Sequence, residues 1–140
     1  MSEFERGTST PPTTAAVVQE RFELEPGLAA PRRARVLARE LLAEQLDERR
    51  RNDLLVLVTE LVTNAVRHAT LGPGDVIVLH LAAAHGVVRA EVTDPGPGFE
   101  PVEREPGPNG GFGLVLLRTL SDRWGVACDG PTCVWFEIDA

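Results

Sequence analysis

Glu60 and Asn64 stand four residues apart in a stretch with helical spacing, so a carboxylate and a carboxamide become surface neighbours, with Arg67 and His68 beside them. An amide oxygen next to a carboxylate suits a hard cation. Magnesium takes oxygen ligands and keeps several waters and substrate phosphates, so Asn64 alone is enough protein for such a site. Glu60 is then available as a base toward an incoming hydroxyl. The same pair also fits the solvated polar face of an ordinary amphipathic helix. Asn64 is a mediocre helix former in an otherwise strong helical stretch, which favours a specific role.

Asp94 ends a run in which Val88, Ala90 and Val92 share its strand phase, so its carboxylate points the way the apolar residues do. A buried carboxylate needs a partner. The exocyclic amine and ring nitrogen of adenine would supply one, and the segment Pro95 to Gly98 lets backbone approach a flat ring closely. A strand-terminal aspartate that closes a turn is the other reading. Further on, Gly110, Gly111 and Gly113 lead into an apolar helical stretch, an arrangement in which backbone amides at a helix start face phosphate oxygens. Glycines before a helix are common; the informative feature is the order of the three groups.

The elements that must position these residues follow from periodicity. A short strand is expected over 17–25, closed by Pro26 and Gly27. A first helix should run from Pro31 to about Asp47, with Ala34, Leu37, Ala38, Leu41, Leu42 and Leu46 inward and Arg32, Arg33, Arg35 and Arg39 outside. The strongest periodic signal, Leu54 to Ala69, predicts a second helix from about Glu48 that places Glu60 and Asn64 opposite the centre of its apolar arc. Strands over 75–81 and 87–94 form a hairpin through Gly86, and a proline-rich loop precedes a third helix at Leu114 to Leu120. Two strands, 124–128 and 132–138, close the chain, with Thr132, Val134, Phe136 and Ile138 in one phase. This order predicts an α+β fold, a two-layer α/β sandwich with three helices packed on one face of a mostly antiparallel sheet.

Composition narrows the functions. The 140 residues, 43% of them hydrophobic, suffice for one core. A net charge of -7 disfavours direct binding to nucleic acid, which rests on accumulated Lys and Arg contacts. No basic leader precedes an apolar stretch and no segment approaches about 18 apolar residues, so no membrane association and a cytoplasmic location are expected. Residues 1–16, rich in Ser, Thr, Pro and Gly, read as a disordered tail before one domain over 17–140. Cys128 and Cys133 match neither a zinc knuckle nor a redox pair and read as reduced strand residues. Trp124 and Trp135 read as packing residues.

The residues also carry a family resemblance. ELVTNAVRHA from Glu60 resembles the asparagine box of the GHKL, or histidine-kinase-like, ATP-binding domains. DPGPGF from Asp94 resembles their first glycine box, and GGFGL from Gly110 their second. LSDRWGV from Leu120 and VWFEI from Val134 resemble the closing segments of the anti-sigma-factor serine/threonine kinase branch, so the likeness spans about 20–138. It implies a Bergerat-type fold with ATP and Mg2+ as cofactors. Asn64 would hold the metal, Glu60 would be the general base and Asp94 would read the adenine amine. His68, Gly96, Gly98, Gly110, Gly111, Phe112, Gly113 and Leu114 would complete the nucleotide site, and Thr132 would sit near adenine. Two departures imply modest phosphate affinity: Phe112 replaces the polar or basic residue of many relatives, and Arg104 is the one cation between Phe99 and Asn109.

The function so implied is an ATP-dependent protein serine/threonine kinase that acts as an anti-sigma regulator. It would bind a sigma factor and phosphorylate an anti-anti-sigma partner of the STAS type; relatives often dimerise, which leaves a homodimer open. The alternative is a module in which ATP shapes a protein-binding surface without phosphoryl transfer; the presence of Glu60 argues against it. A histidine-kinase catalytic fragment fits less well, because residues before 20 cannot hold a phosphoacceptor hairpin and none of His68, His80 and His85 sits on one. His68 also reads as an ordinary helix-end histidine favoured by the macrodipole.

Overall fold

The computed structural model describes residues 18–68, 72, 74–95, 113–128 and 131–140, with the backbone alone for His68, Leu114 and Cys128. Its elements are β1 (Val18–Leu24), α1 (Ala30–Leu42), α2 (Glu48–His68), β2 (Ile77–Ala84), β3 (Val87–Asp94), α3 (Gly113–Leu120), β4 (Arg123–Cys128) and β5 (Thr132–Asp139). The strands form one antiparallel sheet in the order β1-β2-β3-β5-β4. All three helices pack on one side: α1 against β1 and β2, α2 against β3 and β5, and α3 against α2 and β4. This is the α+β sandwich expected from the sequence. The tail over 1–16 lies outside the described residues.

Alternation in the strands creates the core. Ile77, Leu79, Leu81 and Ala83 of β2 are buried, and the register sets Leu79 beside Val92 and Leu81 beside Ala90. Ala90 in turn faces Phe136, and Val88 faces Ile138. On the helical side α1 buries Ala30, Ala34, Ala38 and Leu42 at every fourth position, a stripe of mostly small side chains that permits close approach to α2.

The structure moves three boundaries. The first helix ends at Leu42 and passes through a 3-10 turn, Ala43–Gln45, rather than reaching Asp47. Arg51 donates to the carbonyls of Ala43 and Leu46 there, and Asp47 belongs to the next helix, accepting the Arg50 N–H at 2.8 Å as its N-cap. The second strand begins at Ile77 rather than 75 because Asp75 is used in a turn, its carboxylate accepting the Gly72 N–H at 2.7 Å. It runs on to Ala84 because the hairpin turns in two residues, His85 and Gly86, both at positive φ (55° and 77°), which suits the right-handed twist of paired strands.

The face of the sheet away from the helices carries an ionic layer. The Arg89 guanidinium lies 4.3 Å from the Trp135 ring centroid and bonds Glu137 at 3.1 Å and Glu91 at 2.8 Å. Glu137 also accepts from Arg123, which reaches on to Asp139. Arg89 and Glu137 are thereby buried at 6% and 2% exposure with their charges matched, the condition under which buried ions are tolerated. Cys133, in β5 on this face, is a free thiol whose pKa burial pushes up, consistent with an inert strand residue.

Trp135 lies flat against the backbone of β4. A Cβ on Gly125 would meet the indole Nε1 at 2.7 Å and two ring carbons at 2.8 Å. Gly125→Ala should therefore destabilise the fold by about 1–3 kcal/mol, the usual penalty for overpacking a filled site. Gly27→Ala, where a Cβ has open space, should change stability by less than about 0.5 kcal/mol. Denaturant unfolding of the two variants checks the pair.

Candidate functional site

Among the described residues four polar side chains are buried: Arg89, Glu137, Asp94 and Thr132. The first two neutralise each other on the outer face. Asp94 and Thr132 instead follow the phase of the core, Asp94 after Val88, Ala90 and Val92, and Thr132 ahead of Phe136 and Ile138. The register of β3 with β5 sets Asp94 directly opposite Thr132, at 8% and 2% exposure. Neither side chain lacks a partner. Two hydrogen-bonding groups thus sit together at one end of the central strands, facing the helical layer, where a carboxylate accepts from amines and a hydroxyl both donates and accepts.

The course of α2 brings Glu60 and Asn64 toward the same end. Arg50, in the first turn of α2, contacts the backbone carbonyl of Asp139, the last residue of β5. From that anchor Asn64 lies about 21 Å along the helix, and Thr132 lies about 23 Å back along β5. α2 packs on β3 and β5, so the two runs leave the anchor along the same layer and are of similar length. Sequence periodicity placed Glu60 and Asn64 on the open face of the helix, yet both are half-buried, as are Thr59 and Thr63. Arg49, Asn52 and Val56 on the earlier turns of that face are exposed. Thr59 and Thr63 turn their hydroxyls to the carbonyls of Leu55 and Thr59, both at 2.7 Å. That leaves Glu60 and Asn64 as the groups of this stretch that can serve a ligand.

Gly113 is the first residue of α3 and Leu114 the second. α3 ends at Leu120, whose carbonyl accepts from Arg50. His68 closes α2. Gly96, Gly98, Gly110, Gly111 and Phe112 lie outside the described residues, as does Arg104.

Asp94 and Thr132 fit the polar edge of a base, and the Asn64 amide oxygen fits a hard cation that takes its other ligands from phosphates and water. Among the described residues no group of three or more His, Cys, Asp or Glu side chains is placed to hold a metal ion. A hollow of about 250 Å3 beside the His85–Gly86 turn has Gln45 and His85 as its polar side chains and lies at the opposite end of the sheet. It does not coincide with these groups. No described helix is long and apolar enough to cross a membrane.

One contributor escaped the sequence reading. Arg50 sits in a run of three arginines that looks like a solvated helix start, and only its tertiary partners 70 to 89 residues away distinguish it. The local signal was its spacing from Asp47 and Asp53, three residues to either side.

Comparison with known proteins bears on the family and the fold. No curated protein matches the chain at a significant level. Among solved structures, the RsbU and RsbW domains of Rv1364c from Mycobacterium tuberculosis superpose with a TM-score of 0.68 at 26% identity, over 86% of this chain. The match spans 32% of that longer chain. The family profile described as the histidine kinase-like ATPase domain matches residues 22–138, from the end of β1 to the last but one residue of β5, a range that holds the three helices and every candidate residue. The chain belongs to the histidine kinase-like ATPase domain family.

Proposed function

We propose that the protein is an ATP-dependent serine/threonine protein kinase of the anti-sigma-factor type, with its nucleotide site at the Asp94 end of the sheet. The observation that carries this reading is the pair of buried polar groups, Asp94 and Thr132, set opposite each other on the helix-facing side of β3 and β5. The Asp94 carboxylate accepts from the exocyclic amine of adenine, and Thr132 bonds the ring edge beside it. Asn64 contributes one oxygen to Mg2+, the remaining ligands being phosphate oxygens and water. Gly96 and Gly98 let the backbone approach the base, and Gly110, Gly111, Phe112, Gly113 and Leu114 carry the chain past the phosphates into α3. His68, four residues beyond Asn64, belongs to the same site by the family resemblance.

ATP supplies the phosphoryl group. The chain's own contribution is to orient it and to take up one proton, and Glu60, one turn before the metal ligand on α2, accepts that proton from the serine or threonine hydroxyl of a protein substrate. The likeness to a structure that includes an RsbW domain supports a regulatory partner-switching role. In that role the protein binds a sigma factor in one state and phosphorylates an anti-anti-sigma protein of the STAS type in another. The match covers about a third of that chain, so both partners belong to the proposal.

Asp94→Asn should weaken ATP binding by about a hundredfold, because the amide removes the negative charge and replaces one of two acceptor oxygens with a donor. Titration calorimetry with Mg-ATP reads this directly, and unchanged affinity removes the adenine assignment. Glu60→Ala should keep ATP affinity and lower transfer to the partner serine or threonine by roughly 10²- to 10⁴-fold. Mass spectrometry of cognate candidate partners after incubation with ATP measures transfer. If wild type binds ATP and transfers to none of them, the protein is a nucleotide-gated binding module instead.

A further inference from the structure

Arg50 joins four parts of the chain that no other described side chain brings together. Its Nη1 pairs with Asp53 on the same helix at 3.0 Å and donates to the Leu120 carbonyl, at the end of α3, at 3.4 Å. Its Nη2 pairs with Asp122 in the turn between α3 and β4, and its Nε donates to the Asp139 carbonyl at the end of β5. Asp122 is itself fixed, its carboxylate accepting the Asp139 N–H at 2.7 Å and its own N–H donating to the Glu137 carbonyl at 2.9 Å. The side chain is 15% exposed; its contacts to Asp53 and Leu120 are partly buried, and those to Asp122 and Asp139 lie at the surface. Arg49 is exposed and Arg51 serves the end of α1, so the three adjacent arginines have separate roles.

α3 has eight residues, too few for a helix to hold a position by itself. Its hold on the molecule is Leu117, buried in the core, with Leu116 and Leu120 packed against that core, and the Arg50–Asp122 anchor at its C-terminal end. A cation on the terminal carbonyl also suits the helix dipole. The helix carries Gly113 about 10 Å from that anchor. A tilt of about 6° at Leu120 therefore moves Gly113 by about 1 Å, and displacements of that size at a reacting group cost up to about 10²-fold. Arg50 belongs to the same helix as Glu60 and Asn64, so one guanidinium fixes α3 relative to the helix bearing the metal ligand and the base.

We infer that Arg50 is a positioning residue for nucleotide binding, setting through Leu120 and Asp122 the distance between α3 and the Glu60–Asn64 face of α2. This rests on the nucleotide reading above. The planar fork of arginine is what permits simultaneous contact with two carbonyls and two carboxylates, and a lysine ammonium provides the charge without that geometry.

The test compares Mg-ATP affinity by calorimetry in wild type, Arg50→Ala, Arg50→Lys, Asp122→Asn and Arg123→Ala, at a temperature where denaturant curves show each apo-protein folded. Arg50→Ala should bind roughly ten- to a hundredfold more weakly than wild type, with Arg50→Lys between the two. Asp122→Asn, which loosens the same anchor from the α3 side, should shift affinity in the same direction and answers the question if Arg50→Ala does not fold. Arg123→Ala removes ion pairs to Glu137 and Asp139 without touching α3 and should bind as wild type does. The inference is overturned if wild type binds ATP and the Arg50 and Asp122 variants bind within about twofold of it. It is also overturned if Arg123→Ala loses as much affinity as they do, because the effect then belongs to general stability. A wild type that binds no ATP overturns the nucleotide reading itself, and the inference with it.

Discussion

A carboxylate held at 8% exposure opposite a threonine at 2% is a costly thing to build into the end of a sheet. Burying a polar group costs about 1–3 kcal/mol unless it is hydrogen-bonded, and a charge costs more, so the position demands the partner that Asp94 has. Asp94 is nevertheless committed to that position by the backbone. The residues before it alternate strictly between core and outer face, and the β3–β5 register fixes its neighbour as Thr132. Moving the acid out to water would take a one-residue slip that turned Val88, Ala90 and Val92 outward with it. Hydrophobic burial along the strand thus holds a polar pair in place.

The remainder of the fold turns that end into a place where chemistry can occur. α2 packs on β3 and β5 with its start anchored by Arg50 at the far end of the sheet, and in the proposed site its second half carries Glu60 and Asn64. The outer face needs no covering element, because Arg89, Glu137, Arg123 and Trp135 pack against one another and seal it with matched charge. The helical layer is then left to shape the site. That division explains why two sets of buried polar residues coexist in one small domain, one set satisfied within the sheet and the other directed at the helices.

Much of this was legible in the sequence, for identifiable reasons. The alternation in β3 and β5 gave the inward phase of Asp94 and Thr132 without any tertiary information, and the four-residue spacing of Glu60 and Asn64 placed them on one stripe of α2. Features that depend on distant contacts were not legible. The half-burial of Glu60 and Asn64 contradicts what helical periodicity alone assigns to them. The burial of Arg89 and Glu137 was not legible either, because alternation reports the face and not whether charges on it close over one another. The first helix stopped early because Arg51, eight residues on from Ala43, takes up the carbonyls at its end. Gly96, Gly98, Gly110, Gly111 and Phe112 lie outside the described residues, and their place in the site stands on the family resemblance.

Membership of the histidine kinase-like ATPase family explains why this combination of elements occurs. What is specific to the present chain is the claim that one buried acid chooses the base. Competition between purine nucleotides tests it most directly, because guanine carries a carbonyl oxygen where adenine carries the amine, and a carboxylate repels the one and binds the other. Calorimetric titration of the wild-type protein with Mg-ATP and Mg-GTP should give an ATP preference of roughly a hundredfold or more. Equal affinity for the two nucleotides would contradict the account.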